Sequence, residues 1–109
     1  MSTSSQKKSK LSAYIGFSVK SRKIIYGYEG VCASRKRVFL ILADEALGES
    51  SHKKLAAYAE RSGVRMITLP AGIIASYCGD GNIKCIGLTD ENLASAAEKE
   101  INNTIGGSN

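Results

Sequence analysis

The sequence predicts an α/β fold, a three-layer α/β/α sandwich built on a small mixed sheet. Three observations carry that expectation. Short continuous apolar runs occur, RVFLILA and VRMITL foremost; stretches with apolar residues at helical spacing lie between them; and turn signals such as GDGN separate the two kinds. Alternating buried strands and helices imply a sheet with helices on both faces. With 109 residues, 43% of them apolar, the chain can build one core.

Residues 1–9 show no periodicity and read as a disordered basic tail. Residues 10–105 form the single domain, and 106–109 a frayed tail. Leu11, Tyr14, Ile15 and Val19 recur at helical spacing and predict a first helix ending near Lys20–Ser21. Lys23–Tyr26 is a short β-prone segment closed by Gly27, and Tyr28–Ala33 a short helix. Arg37–Ala43 reads as a strand buried on both faces, because β-branched and aromatic residues run without a polar break. Ser50 or Ser51 can cap the next helix, which turns Leu55, Ala56, Ala59 and Tyr58 inward and stops at Gly63. Val64–Leu69 is a second buried strand broken by Pro70. Gly72–Tyr77 is a short helix, Gly79–Asn82 a turn and Ile83–Leu88 a third buried strand. Thr89 is the expected cap of a last helix running to about Ile101.

Charge is distributed unevenly. Residues 1–40 carry nine Lys/Arg against one acid, Glu29, whereas residues 41–109 carry six against nine. The basic half is a polyanion-facing surface, because cations that neutralise phosphates release condensed counterions. Lys7, Lys8 and Lys10 can be a solubilising tail, but that explanation does not extend to Lys20, Arg22 and Lys23 or to Arg35, Lys36 and Arg37, which flank structured segments.

Enzymatic and metal chemistry find little support. The three cysteines form no CxxC pair and the one histidine, His52, lies far from them, so reduced thiols acting as small hydrophobes are expected, with no metal and no cofactor. Asp44-Glu45 follows a strand, where α/β proteins place ligands. No partner completes a site, and electrostatic support of the next helix explains the pair better. Gly27-Tyr28-Glu29-Gly30 matches neither GxGxxG nor a P-loop. It does open a helix just after Lys20, Arg22 and Lys23, an arrangement suited to RNA sugar-phosphate. Tyr26 and Tyr28 flank the glycine, where aromatics beside cations can stack on unpaired bases.

The runs IGFSVKSRKIIYGYEGV, RVFLILADEA, SSHKKLAAYAERSGVRMITL and YCGDGNIKCIGLTDENLA occur in that order. Together they resemble the L-seven-Ae/L-thirty-e superfamily of ribosomal proteins, and its bacterial YlxQ-like branch most nearly. The resemblance spans nearly all of residues 11–98. It implies an α/β/α sandwich that binds structured RNA, typically at kink-turns, with contacts from Gly27, Tyr28, Glu29 and Gly30 and from Gly79, Asp80, Gly81, Asn82 and Ile83. Kink-turn binders open the helix with Gly-x-Asn-Glu and add a lysine. The corresponding places here are Glu29, Gly30 and Ala33, so the signature is degraded.

The expected protein is thus a non-catalytic RNA-binding monomer of the cytoplasm. Its partners would be structured RNA, ribosomal RNA among the candidates, and ribosomal proteins. The alternative is a protein-interaction module on a translation partner that has lost RNA specificity. No apolar run approaches the ~20 residues that span a bilayer, and the charged N-terminus is followed by no leader-like apolar segment.

Overall fold

The computed structural model describes residues 10–103. The expected tails, 1–9 and 106–109, and the expected domain edge at 104–105 lie outside the described residues. Helix α1 (Lys10–Lys20) leads to strand β1 (Ile24–Tyr26) and the short helix α2 (Tyr28–Cys32). Strand β2 (Leu40–Asp44), helix α3 (Glu49–Ser62) and strand β3 (Arg65–Leu69) follow. Helix α4 (Ile73–Cys78), strand β4 (Cys85–Leu88) and helix α5 (Glu91–Ile101) complete the order.

The four strands form one mixed sheet in the order β1-β4-β2-β3. Strand β4 runs antiparallel to both neighbours, pairing Ile25 with Gly87 on one side and Ile41 with Gly87 on the other. Only β2 and β3 are parallel. Alternation along the central strands divides the core. Leu40, Leu42, Ile86 and Leu88 face α1, α4 and α5, meeting Leu11, Ile15, Ile74, Ala94 and Ala97. Ile41, Ala43 and Cys85 face α2 and α3, meeting Val31, Leu55 and Ala59. The expected three-layer α/β fold is the fold observed.

Several local expectations are corrected. β2 begins at Leu40 rather than Arg37, because Val38 turns into the core beneath α2 while Phe39 makes a single bond to the Leu88 carbonyl. β3 is an edge strand of which only Leu69 is buried, since apolar content does not distinguish edge from centre. Ala56 is exposed, and α3 opens at Gly48 without a side-chain cap from Ser50 or Ser51. α5 is capped by Asp90 rather than Thr89: the Asp90 carboxylate accepts from the Leu93 amide at 2.9 Å. The Thr89 amide is held instead by the Lys23 carbonyl at 2.9 Å.

Gly87 sets how closely α2 approaches the sheet. A Cβ there would meet Val31 and Val38 methyls at 3.1 Å each. All three residues are buried, so neither valine can move without opening the second core. Overpacking such a contact costs about 1–3 kcal/mol. Gly87→Ala should therefore lower unfolding free energy by about 1–2 kcal/mol in urea titration, and Gly87→Val by more. Two variants as stable as wild type would show that α2 is not seated on Gly87.

Candidate nucleic-acid interface

Sheet pairing separates the sequence-derived site residues into two groups. At one end of β4, the Lys23 carbonyl accepts from Thr89 and the Leu88 carbonyl accepts from Phe39 at 2.8 Å. Lys20, Arg22 and Lys23 on the first connection and Arg35, Lys36 and Arg37 on the second therefore flank the same end of the sheet. At the other end of β4, the Gly27 amide donates to the Cys85 carbonyl at 2.8 Å, and the Asp44 amide to that of Lys84 at 2.8 Å. The two ends lie about 10 Å apart along the strand.

That separation corrects one sequence expectation. Lys20, Arg22 and Lys23 do not stand beside the opening of α2, because β1 intervenes and carries Gly27 to the far end. The Gly27 amide is also consumed by Cys85, so it is no free donor for a phosphate. Tyr26 and Tyr28 do not share a strand face either, since the strand stops at Tyr26 and Tyr28 begins the helix. The glycine at 27 has its own cause, a φ of 81° that L side chains rarely adopt.

The glycine end nevertheless brings the two expected lips together. Tyr26, 44% exposed, has its hydroxyl pKa raised by burial first and by neighbouring Cys78 and Asp80 second. Its hydroxyl thus lies toward the Gly79–Ile83 turn, while Gly30, further along α2, lines the groove of the basic end. That turn is closed internally: Asn82 donates to the Asp80 carboxylate at 2.9 Å and Ile83 to the Asp80 carbonyl at 3.2 Å. Glu29, Asp80 and Glu45 are exposed here, against Lys84. Charge at this end does not favour phosphate.

The basic end is different. Lys23 contacts Asp90 at 3.9 Å, a long and exposed pair of little energetic weight. The Arg37 guanidinium lies over the Phe39 ring, 5.1 Å from its centroid. Arg22 occupies the left-handed region at φ 60°. It closes α1 in a Schellman arrangement, with Lys23 donating to the Ser18 carbonyl at 2.8 Å and Arg22 to that of Val19 at 3.2 Å. Glycine is the ordinary residue at such a position, and arginine costs about 1 kcal/mol more. Arg22, Arg35 and Lys36 border a groove of about 370 Å³ also lined by Ile24, Ile25 and Gly30. Another groove, about 540 Å³ between α2 and α3, sets Lys54 and Arg61 against Glu29 and has no single sign.

Sequence reasoning missed Phe17, which is 56% exposed on the outer face of α1 between Lys10 and Lys20. The outward spacing of Lys10, Ala13, Phe17 and Lys20 was the available signal. It also missed Ile25 as groove floor, because a short apolar strand reads as core.

The chemistry of the remaining groups is structural. Asp44, 1% exposed, accepts from the Gly72 amide at 2.9 Å and the Ala46 amide at 2.6 Å. The Gly72 bond and then the Ala46 bond hold its carboxyl below the usual range, with Lys84 adding to them and burial opposing them. Asp44 therefore ties the end of β2 to the turn that launches α4, with its carboxylate on the N-cap amide of that helix rather than at the start of α3, the next helix in the chain. Burial pushes the Cys85 thiol up to about 12 and the Cys78 thiol up to about 11, so both stay protonated at neutral pH. Cys32 and Cys78 are only half-buried. Among the described residues, no three His, Cys, Asp or Glu side chains gather to hold a metal ion, and no helix is long and apolar enough to cross a membrane.

No family model matches the sequence, and no curated protein matches it. Among solved structures, the chain is similar to one described as a protein with unknown function from Bacillus halodurans. The likeness has a TM-score of 0.81 at 17% identity and covers 87% of this chain and 99% of that one. At that identity it concerns the fold alone.

The lowered pKa of Asp44 gives a pH-dependent stability. Its contribution is fully present above the ordinary carboxylate pKa of about 4 and is lost as pH falls through the lowered folded value. Asp44→Asn should cost about 2 kcal/mol near neutral pH, from two charge-assisted bonds made weaker. Urea titrations of the two proteins should differ less in acid, below the ordinary carboxylate pKa of about 4, than near neutral pH. An equal gap at both pH values would show that the charge contributes nothing.

Proposed function

We infer that this protein is a non-catalytic RNA-binding protein of the cytoplasm, acting on structured RNA in a ribosomal or translational setting. The supporting observation is the gathering of six cations from two separate segments at one end of the sheet. Lys20 comes from the last turn of α1, Arg22 and Lys23 from the α1–β1 connection, and Arg35, Lys36 and Arg37 from the connection preceding β2. Asp90 is the acid paired there, and it is already shared between Lys23 and the Leu93 amide. Unopposed cations on a fixed scaffold suit a phosphate backbone, whose affinity depends on counterion release. The resemblance to the L-seven-Ae/L-thirty-e superfamily agrees with RNA as the ligand. The degraded signature at Glu29, Gly30 and Ala33, together with the acids at the glycine end, argues against kink-turn specificity.

A second reading is favoured by the glycine end itself. Exposed Tyr26 near Asp80, with the Tyr28 hydroxyl donating to Glu29 at 3.5 Å, presents aromatic groups with acidic flanks, which suit a basic protein segment of a translation partner. Affinity capture before and after RNase treatment separates the two readings, since a direct protein partner survives digestion.

Charge reversal tests the RNA reading. Lys20→Glu/Arg22→Glu/Lys23→Glu should abolish binding of total cellular RNA while circular dichroism shows a folded chain. Milder neutralisation of the same three should lower the salt slope of log K by about 2 to 3. Unchanged affinity after charge reversal would remove the basis for RNA binding at this end.

A further inference from the structure

The groove at the basic end has a composition that phosphate contacts alone do not explain. Its cations come from two connections that meet only in the fold: Arg22 from the left-handed turn, Arg35 and Lys36 from the loop before β2. All three are exposed, and none makes an ion pair among the described residues. No carboxylate lines the groove; its remaining polar groups are Ser34 and Thr89. The loop is also pre-shaped. The Ser34 hydroxyl donates to the Lys36 carbonyl at 2.9 Å and accepts from the Lys36 amide at 3.0 Å. Arg22 stands in a backbone conformation that glycine would fill with less strain, so the side chain is retained against a local cost.

Between these cations lies an apolar floor. Ile25 is half-buried on the α2 face of the sheet, and Gly30 is pressed on it so closely that a Cβ there would meet the Ile25 methyl at 3.0 Å, while Ile24 turns its side chain to the opposite core. A duplex offers its phosphates to protruding cations and has nothing to place on an apolar concavity. An unpaired nucleotide offers both parts, a base or ribose for the floor and flanking phosphates for the rim. A volume of about 370 Å³ falls within the range of small-ligand pockets.

We propose that the groove between Arg22 and the Arg35–Lys36 loop receives one unpaired nucleotide of a bound RNA. Its base lies against Ile25 and Gly30, and its flanking phosphates on Arg22, Arg35 and Lys36. The proposal rests on the RNA-binding reading and sharpens it, because it places the selective contact at the basic end and makes an extruded nucleotide the recognised feature.

The test compares an RNA hairpin carrying a single-nucleotide bulge with the same hairpin fully paired, by fluorescence anisotropy on the full chain. The bulged hairpin should bind roughly tenfold more tightly, a ratio of the size one recognised base supplies. Arg35→Ala/Lys36→Ala should erase that ratio. Arg22→Gly should also reduce it while raising Tm by about 4 °C, since the left-handed strain is relieved. A destabilised variant that merely misfolds cannot produce that opposite pair of shifts. Equal affinity for both hairpins, or a ratio that survives these substitutions, overturns the groove assignment. If Lys20→Glu/Lys23→Glu/Arg37→Glu then still abolishes hairpin binding, RNA binding stands without the groove. If wild type binds neither hairpin, both fall. Free AMP should compete weakly; AMP binding tighter than the bulged hairpin would make the groove a nucleotide pocket and remove the RNA chain from it.

Discussion

Strand β4 reaches its neighbours only through backbone pairing, and the arrangement of the whole molecule follows from that pairing. It is the one strand hydrogen-bonded to both β1 and β2 in antiparallel sense. Because β1 hangs on β4 alone, the turn before it and the turn after it are forced to opposite ends of the sheet. Because β2 lies on the other side of β4, the basic loop before β2 arrives at the same end as the basic turn before β1. Without Cys85–Leu88 in that place, the two clusters of cations would have no common rim. Gly87, at the centre of the strand, lets α2 settle on this junction.

The opposite end is organised by a single carboxylate. Asp44 spans from the last residue of β2 to the Gly72 turn, and its two oxygens take one amide each. A buried charge is tolerated when backbone donors replace water in this way. The two ends thus differ in physical character. One spends its polar groups on internal bonds and leaves acids outside; the other leaves its cations exposed, with Lys23 alone of the six in a long ion pair among the described residues. Binding of a polyanion fits the second, and the first is the better place for contact with protein.

The sequence made the element types readable because strong local signals coincide. GDGN, Pro70 and the glycine at 63 all punctuate as their chemistry dictates, and RVFLILA supplies an unmistakable central strand. Boundaries that depend on distant partners were not readable. Val38 leaves the strand because α2 and Gly87 offer it a socket, and neither is near it in sequence. β3 reads as buried until the sheet order makes it an edge. Asp90 caps α5 because the amide of Thr89 is pinned by Lys23, more than sixty positions away. In the candidate interface the cations were legible from charge alone. Their separation from Gly27 was not, since it depends on which strand lies beside which.

The topology also has a consequence for the order in which the chain can fold. Strands β2 and β3, joined through α3, lie close in sequence and need nothing from later segments to pair. Strand β1 finds its only sheet partner about sixty residues downstream, and α1 packs on α4 and on the terminal helix α5. During synthesis the N-terminal segment therefore leaves the ribosome long before its docking surface exists. Contacts of such sequence separation form late, because loop closure must precede any gain from them. The basic rim is consequently a product of the last stage of folding, assembled only when the C-terminal third closes over the first.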